Sequence, residues 1–416
     1  MGGVGYRVLR FIIRALRSFA RAPSVGCWRT TQGCCILAAV ESRNQLDSLH
    51  PILAHLDDAR LLRLKPSAHP TFPEWLAYAR SIEYVPDALR LWRESKGYLR
   101  ASLSRGFDDY LLAYGYYATA LQVLTFVQPR VLLVANDHSL RTRTLARAAE
   151  DLGIKTAYVQ HASVTAKFPP LRFDLSLLDG NDAVQKYAAT GVGKGQVFLV
   201  GSAKADALRR VRVQTPLAVN RVAICVNLLD FEERVKRFVD EFTQVAPTVE
   251  LVLRVHPGDR RLWERIIDIP VSRGAHEPVT DLLARVDGIV SGPSNILLDA
   301  ALARLPPVFV DFAGRGSDGY GFTDRGLALE AVSAEEALSH FAAALKRASA
   351  TNGALRHYSA TADTAFDGRS AMLAAQVLQE FVADEVDLSR WSLVQGVPGT
   401  RTYQPLPSLR RSPSTS

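Results

Sequence analysis

Apolar residues in this chain come in short continuous runs, each closed by a polar cluster, and the runs alternate with stretches of helical periodicity. The first run covers 34–40 and leads through a polar loop into a helical pattern over 46–56. The run 131–134 opens into Asn136-Asp137-His138-Ser139 and a helix over 140–151 that Gly153 ends. The run 156–159 opens into Gln160-His161-Ala162-Ser163. A second series comprises runs at 221–226, 251–255, 288–290 and 308–310, with helices expected over 230–244 and 295–303. Strands alternating with helices, with polar residues collected just after each strand, describe parallel α/β sheets that bind ligands at the strands' carboxyl ends. The stretch 60–128 reads as mostly helical and aromatic.

Length and composition divide this pattern into two doubly wound domains. The chain has 416 residues, 48% hydrophobic and 22% charged, enough for two cores. The expected divisions are a basic leader over 1–30, a first Rossmann-like domain over 31–205, a second over 206–387, and a basic tail over 388–416 that is partly disordered. The net charge of +8 belongs to the ends. Arg7, Arg10, Arg14, Arg17, Arg21 and Arg29 lie in the leader, and Arg390, Arg401, Arg410 and Arg411 in the tail, neither with an acid. The body between them is slightly acidic, so no nucleic-acid groove is expected.

Cys27, Cys34, Cys35 and Cys225 form no Cys-x-x-Cys pair and no zinc spacing, which favours a reducing compartment and no structural metal. The longest apolar run in the leader is Phe11-Ile12-Ile13, too short for a signal core or a membrane span, so a cytoplasmic location is expected. At about 100° per residue, Arg7, Arg10, Arg14, Arg17 and Arg21 fall within an arc of roughly 80°, opposite Phe11, Ile12, Leu16 and Phe19. Two arrangements suit such a helix: lying flat on an anionic membrane, or packed on the first domain with its arginine face in water.

Four clusters carry candidate chemistry. In Arg254-Val255-His256-Pro257-Gly258, Pro257 fixes a turn that projects the His256 imidazole beyond the sheet, where it either donates to a phosphate or satisfies the turn. Ser291-Gly292-Pro293-Ser294-Asn295 precedes a helix whose free N–H groups can cradle a phosphate, with Ser294 alternatively only its cap. His161 and Asp137, with His138 as a third, follow strands of the first domain and are candidates for the base that activates an acceptor hydroxyl. The glycine-rich segment 311–320 either closes over a donor or is a surface loop. No Asp-x-Asp motif occurs, so transfer without a metal or other cofactor is the simpler expectation.

The order strand-Gln160-His161, strand-Gly201-Ser202 with Asp206, strand-Arg254-x-His256-Pro257 and Ser291-x-x-Ser294-helix resembles the GT-B enzymes that build bacterial surface polymers. These include CDP-glycerol glycerophosphotransferases, bacterial polysialyltransferases and capsule polysaccharide transferases. The resemblance runs from about 131 to 370 and takes in Phe366-Asp367-Gly368-Arg369-Ser370. Ala162 stands where the family has glycine, and the acidic motif of the sialyl-transferring relatives is absent. The resemblance implies a GT-B fold of two domains facing a cleft, with His256, Pro257, Ser291, Ser294 and Asn295 holding the phosphate of a nucleotide-activated, cytidine-linked donor. It also implies a polysaccharide or lipid-linked acceptor. Two rivals are a nucleotide-sugar 2-epimerase and a non-catalytic, membrane-peripheral scaffold.

Overall fold

The apolar runs become strands, nearly all of them buried from end to end. The computed structural model describes residues 3–22, 26–165, 167–211, 215–346 and 352–406. The chain begins with α1 (Val4–Arg21), β1 (Gly26–Cys27), β2 (Ile36–Val40), α2 (Arg43–Leu53), β3 (Ala59–Arg63) and β4 (Pro70–Thr71). The expected helical stretch resolves into α3 (Glu74–Ser81), α4 (Val85–Glu94) and the long α5 (Gly97–Val127), preceded by β3 and β4, which are short, β3 being rich in basic residues. Next come β5 (Val131–Val134), α6 (Leu140–Asp151), β6 (Lys155–Val159), β7 (Leu175–Leu178), α7 (Asn181–Ala188) and β8 (Gln196–Leu199).

The second series holds α8 (Asp206–Val211), β9 (Arg221–Val226), α9 (Glu232–Val245), β10 (Glu250–Val255), β11 (Val271–Arg273), α10 (Val279–Arg285), β12 (Gly288–Ser291) and α11 (Ile296–Leu302). It closes with β13 (Pro307–Phe309), β14 (Leu329–Glu330), α12 (Ala334–Lys346) and α13 (Asn352–Tyr358). The chain then enters α14 (Ser370–Ala383), β15 (Trp391–Val394) and β16 (Arg401–Pro405).

Contacts divide these elements into two units, one of 1–178, 184–198 and 371–404, the other of 179–183, 199–370 and 405–416. The first contains a ten-stranded sheet in the order β1-β4-β3-β2-β5-β6-β7-β8-β16-β15. The second contains a six-stranded sheet in the order β11-β10-β9-β12-β13-β14. In the second sheet β9 pairs in parallel with both β10 and β12, and in the first β2 pairs in parallel with both β3 and β5. The strand order therefore reverses at β2/β5 and at β9/β12, and in doubly wound sheets ligands bind outside the carboxyl ends at such reversals.

Two expectations are corrected. The tail is not disordered up to residue 406: β16 pairs with β8, and the Phe198 ring contacts both Trp391 and Tyr403 at 4.8 Å. Residues 407–416 of that tail lie outside the described residues. Nor does α1 pack on the first unit with its arginine face in water. It packs on the first unit with its arginines turned inward: Arg10 pairs with Asp108, and Arg14 Nη1 lies 3.3 Å from Asp108 and 2.9 Å from Asp109. Asp108 is buried on α5, and a buried carboxylate needs cations around it, so it draws the arginine stripe onto the protein. No described helix is long and apolar enough to cross a membrane.

Helix α5 approaches α3 closely enough that a Cβ on Gly115 would lie 2.0 Å from the Ala77 carbonyl oxygen and 2.6 Å from the Ser81 nitrogen. Gly115→Ala is expected to destabilise the first unit by about 2 kcal/mol through this overlap. Gly5→Ala, where a Cβ meets nothing within 4 Å, is expected to be neutral or to stabilise α1 by up to ~1 kcal/mol. Urea denaturation of the two variants checks the contrast.

Candidate functional site

In the first unit, the loop after β5 sits at the β2/β5 reversal. Asn136 Oδ1 accepts from the backbone N–H groups of His138 and Ser139 at 2.8 and 2.9 Å, and Ser139 caps α6 by accepting from the Thr142 N–H. This turn directs Asp137 inward and His138 outward. The Asp137 carboxylate accepts from the Tyr187 hydroxyl at 2.5 Å and lies 2.9 Å from His138 Nδ1. Burial, then the Tyr158 hydroxyl and the Asp137 carboxylate, push the Tyr187 phenol well above its usual range, so it remains a donor.

His161, after β6, is nearly buried, with its ring centroid 6.3 Å from that of His138; Phe168 covers His138 at 4.8 Å. Asn44 of α2 donates to the His161 carbonyl at 3.2 Å. Asp137 and His161 thus each lie near His138, Asp137 in direct contact with it and His161 one ring away. The sequence ranks His138 below its neighbours because its exposure is decided by the Asn136 turn. Beside Asp137 opens a cavity of about 820 Å³ whose rim includes Arg143, Arg172 and Lys194.

In the second unit, the loops after β9 and β12 flank the reversal, and the loop after β10 lies one strand away. His256 follows β10; its backbone N–H donates to Val226 of β9 at 3.1 Å, and its ring Nδ1 accepts from the Gly258 N–H at 3.0 Å. In the neutral ring this places the proton on Nε2 and makes that nitrogen a donor. The ring is exposed. Pro257 fits against Gly274, where a Cβ would meet its ring at 2.7 Å.

Ser291 and Ser294 separate. Ser291 is fully buried and its hydroxyl donates to the Cys225 carbonyl at 3.0 Å, which removes it from the groups a donor phosphate can reach. Ser294 and Asn295 are partly exposed where α11 begins, but α11 has only seven residues, so its dipole contributes little and the side chains must supply most of any phosphate contact.

The residues most tightly bound into this region escape sequence reasoning. Asn227 and Asp230 follow β9, and Asp230 accepts from the Asn227 N–H at 2.7 Å while Asn227 Nδ2 donates to the Pro293 carbonyl at 3.2 Å. Their position after a strand is the same signal that marks Asp137. Arg261 lies outside any such pattern, yet it donates to the carbonyls of Asp230 and Asn227, both at 2.6 Å, and chelates Asp259. It locks the loop after β9 to the loop after β10.

The remaining motifs make hydrogen bonds within the fold. Asp367 is spent on Arg209, with Oδ1 2.6 Å from Nε, while the Ser370 N–H donates to Asp206 at 2.8 Å; the Asp-Gly turn thus ties α8 to the start of α14. Segment 311–320 is tied down: Asp311 accepts from the Gly316 N–H at 2.8 Å, and Asp318 from the N–H groups of Tyr320, Gly321 and Thr323. Burial opposes ionisation of Asp318, but these bonds, that from Thr323 foremost, hold it below the usual carboxylate range.

Two doubly wound parallel α/β units, each with its polar residues at a strand-order reversal, define a GT-B fold. Solved structures of that fold are similar to the chain. A UDP-GlcNAc 2-epimerase from Neisseria meningitidis bound to UDP-GlcNAc matches with a TM-score of 0.51 at 11% identity, over 83% of this chain and 99% of the other. The glycotransferase of kitacinnamycin matches at 0.52 and 14%, over 84% and 99%. A wall teichoic acid polymerase soaked with CDPG matches at 0.50 and 10%, over 92% and 98%. No family model matches the chain, and no curated protein does.

Asp230 yields a pH-dependence. Burial pushes its carboxyl up to about 6, against an ordinary value of 3.8. A raised acid binds more protons folded than unfolded, so its contribution to stability is complete below the unfolded value and is lost as pH climbs through about 6. Asp230→Asn should therefore gain on the wild type by about 2 kcal/mol between pH 4 and pH 7. Urea midpoints of both proteins across that range test this; parallel curves would show that Asp230 ionises without cost.

Proposed function

We propose that the chain is a group-transfer enzyme that moves a sugar or polyol phosphate from a nucleotide-activated, cytidine-linked donor to a surface-polysaccharide or lipid-linked acceptor. The carrying observation is the exposed His256, whose Nδ1 is occupied by the Gly258 N–H so that the proton of the neutral ring is on Nε2, at the end of β10 beside the β9/β12 reversal. That N–H neutralises charge developing on the leaving phosphate of a donor bound there, and the Ser294 hydroxyl after β12, two strands away, adds a second contact. The reading calls on no metal, since these two groups supply the neutralisation themselves.

For the acceptor, the pair Asp137–His138 is arranged as an oriented base. With His138 Nδ1–H donating to Asp137, Nε2 is left to take a proton from an incoming hydroxyl, and the Tyr187 bond holds the carboxylate in place. Asp137 is then a positioning residue, and His161 the alternative base. Arg143 and Arg172 in the cavity lining suit an acceptor that carries negative charge, whereas Lys194 there is paired with Glu150 and Asp174.

Three measurements test the reading. CDP should raise the melting temperature of the protein more than UDP does; stabilisation by UDP alone would remove the cytidine assignment. His256→Ala and Ser294→Ala should each weaken CDP binding about tenfold while leaving the far-ultraviolet spectrum intact, corresponding to roughly 1–3 kcal/mol for one phosphate contact. His138→Ala should lower turnover by about 10²-fold or more with donor affinity preserved, and a larger loss in His161→Ala than in His138→Ala would reassign the base. Conversion of UDP-GlcNAc to an isomeric nucleotide sugar without any acceptor would instead favour the epimerase reading.

A further inference from the structure

Helix α1 is turned the opposite way from an ordinary surface helix. Arg7, Arg10 and Arg14 face α5, where Asp108 and Asp109 receive them. Rotation is thereby fixed, and the opposite face, with Leu9 at 55%, Ile12 at 48%, Leu16 at 64% and Phe19 at 42% exposure, stands in the open. Between this face and the segment 78–89 runs a groove of about 480 Å³ lined by aliphatic and aromatic side chains, among them Val8, Leu16, Phe19, Ile82 and Leu89. An apolar surface of this kind on a water-facing helix marks a contact with a partner or a lipid layer.

Charge selects the partner. Helix α1 carries no acidic residue, and Arg17 is exposed beside the apolar face, about one turn beyond the last arginine held by α5. A lipid surface with anionic headgroups over an acyl layer satisfies both features at once, apolar side chains below and guanidinium groups at headgroup level. A second copy of the chain fits less well. The exposed face of an 18-residue helix is about 27 Å long and about 10 Å wide, well below the ~800 Å² per partner of a stable protein interface.

We propose that α1 is an interfacial helix whose apolar face and adjoining groove seat in the outer acyl layer of an anionic bilayer, held on the protein by the inward arginine clamp on Asp108 and Asp109. The inner arginines fix the rotation of the helix, and Arg17 meets the headgroups. This differs from attachment through a basic stripe, because the binding free energy comes mainly from apolar contact and is weakly screened by salt. It stands independently of the transferase reading.

The test is sedimentation of the full chain with vesicles of phosphatidylcholine alone and of phosphatidylcholine with phosphatidylglycerol at 3:1. The full chain should pellet with the anionic vesicles, more weakly with the neutral ones, and remain mostly bound at 0.5 M NaCl. Ile12→Glu with Leu16→Glu should lower partitioning about tenfold or more. Both positions are exposed, so the urea midpoint should hold; Arg17→Ala, a second variant that leaves the apolar face whole, should reduce only the preference for anionic vesicles. Equal sedimentation of the double variant would overturn the proposal, as would complete release of the wild type by salt. It would equally fall if the full chain ignored vesicles and formed a concentration-dependent dimer that the double variant dissolves.

Discussion

The strands at the two strand-order reversals are buried along nearly their whole length, and this constraint governs where any polar side chain can act. β2, β5 and β12 are buried at every position, and β9 at every position after its first. A functional group cannot stand within such a strand without losing its water, so the chain collects polar residues where each strand ends. Asp137 and His138 follow β5, Asn227 and Asp230 follow β9, and His256 follows β10. Ser291, the one candidate that sits inside a strand, is correspondingly consumed by a neighbouring carbonyl.

Charge that must enter the interior is handled by pairing, and each pairing fixes an element. Arg141 of α6 bridges Glu41 at 2.9 Å and Glu74 at 2.5 Å, joining the end of β2 to α3 beside the first reversal. Arg261 does the same at the second reversal by holding Asp259 and the carbonyls after β9. The clamp on Asp108 follows the same rule with a different result: satisfying one buried carboxylate commits the polar side of α1 inward and leaves Leu9, Ile12 and Leu16 exposed, while Phe11 packs on Tyr78. Asp230 is the exception in the candidate site, since its Oδ1 is buried without a hydrogen-bond partner while Oδ2 accepts from Asn227.

Site geometry depends on local turns that hold rings in one orientation. The Asn136 side chain shapes the loop that exposes His138, and the Gly258 N–H selects the protonated nitrogen of His256. Both are short-range interactions within three residues. They are nevertheless meaningful only because β5 and β10 each lie next to the strand at which their sheet reverses.

Strand and helix positions were legible because their cause is local. The run 131–134, the helix 140–151 and the run 221–226 coincide with β5, α6 and β9, since burial on both faces imposes continuous apolarity and capping residues mark the ends. The placement of candidate residues after strands was legible for the same reason, and with it the doubly wound class. What lay beyond the sequence depends on partners distant in the chain. That β16 extends the first sheet follows from its pairing with β8 some two hundred residues earlier, and Gly396, with its Cβ position against the Thr402 side chain, merely permits the turn. That Ser291 is spent and His138 presented follows from neighbours supplied by other strands and loops. The sequence determined that α1 is amphipathic, with its arginines in one arc. Which side faces the protein was decided only by Asp108, ninety-eight residues from Arg10, because the cost of leaving that carboxylate buried and unpaired exceeds the cost of leaving leucine and isoleucine in water.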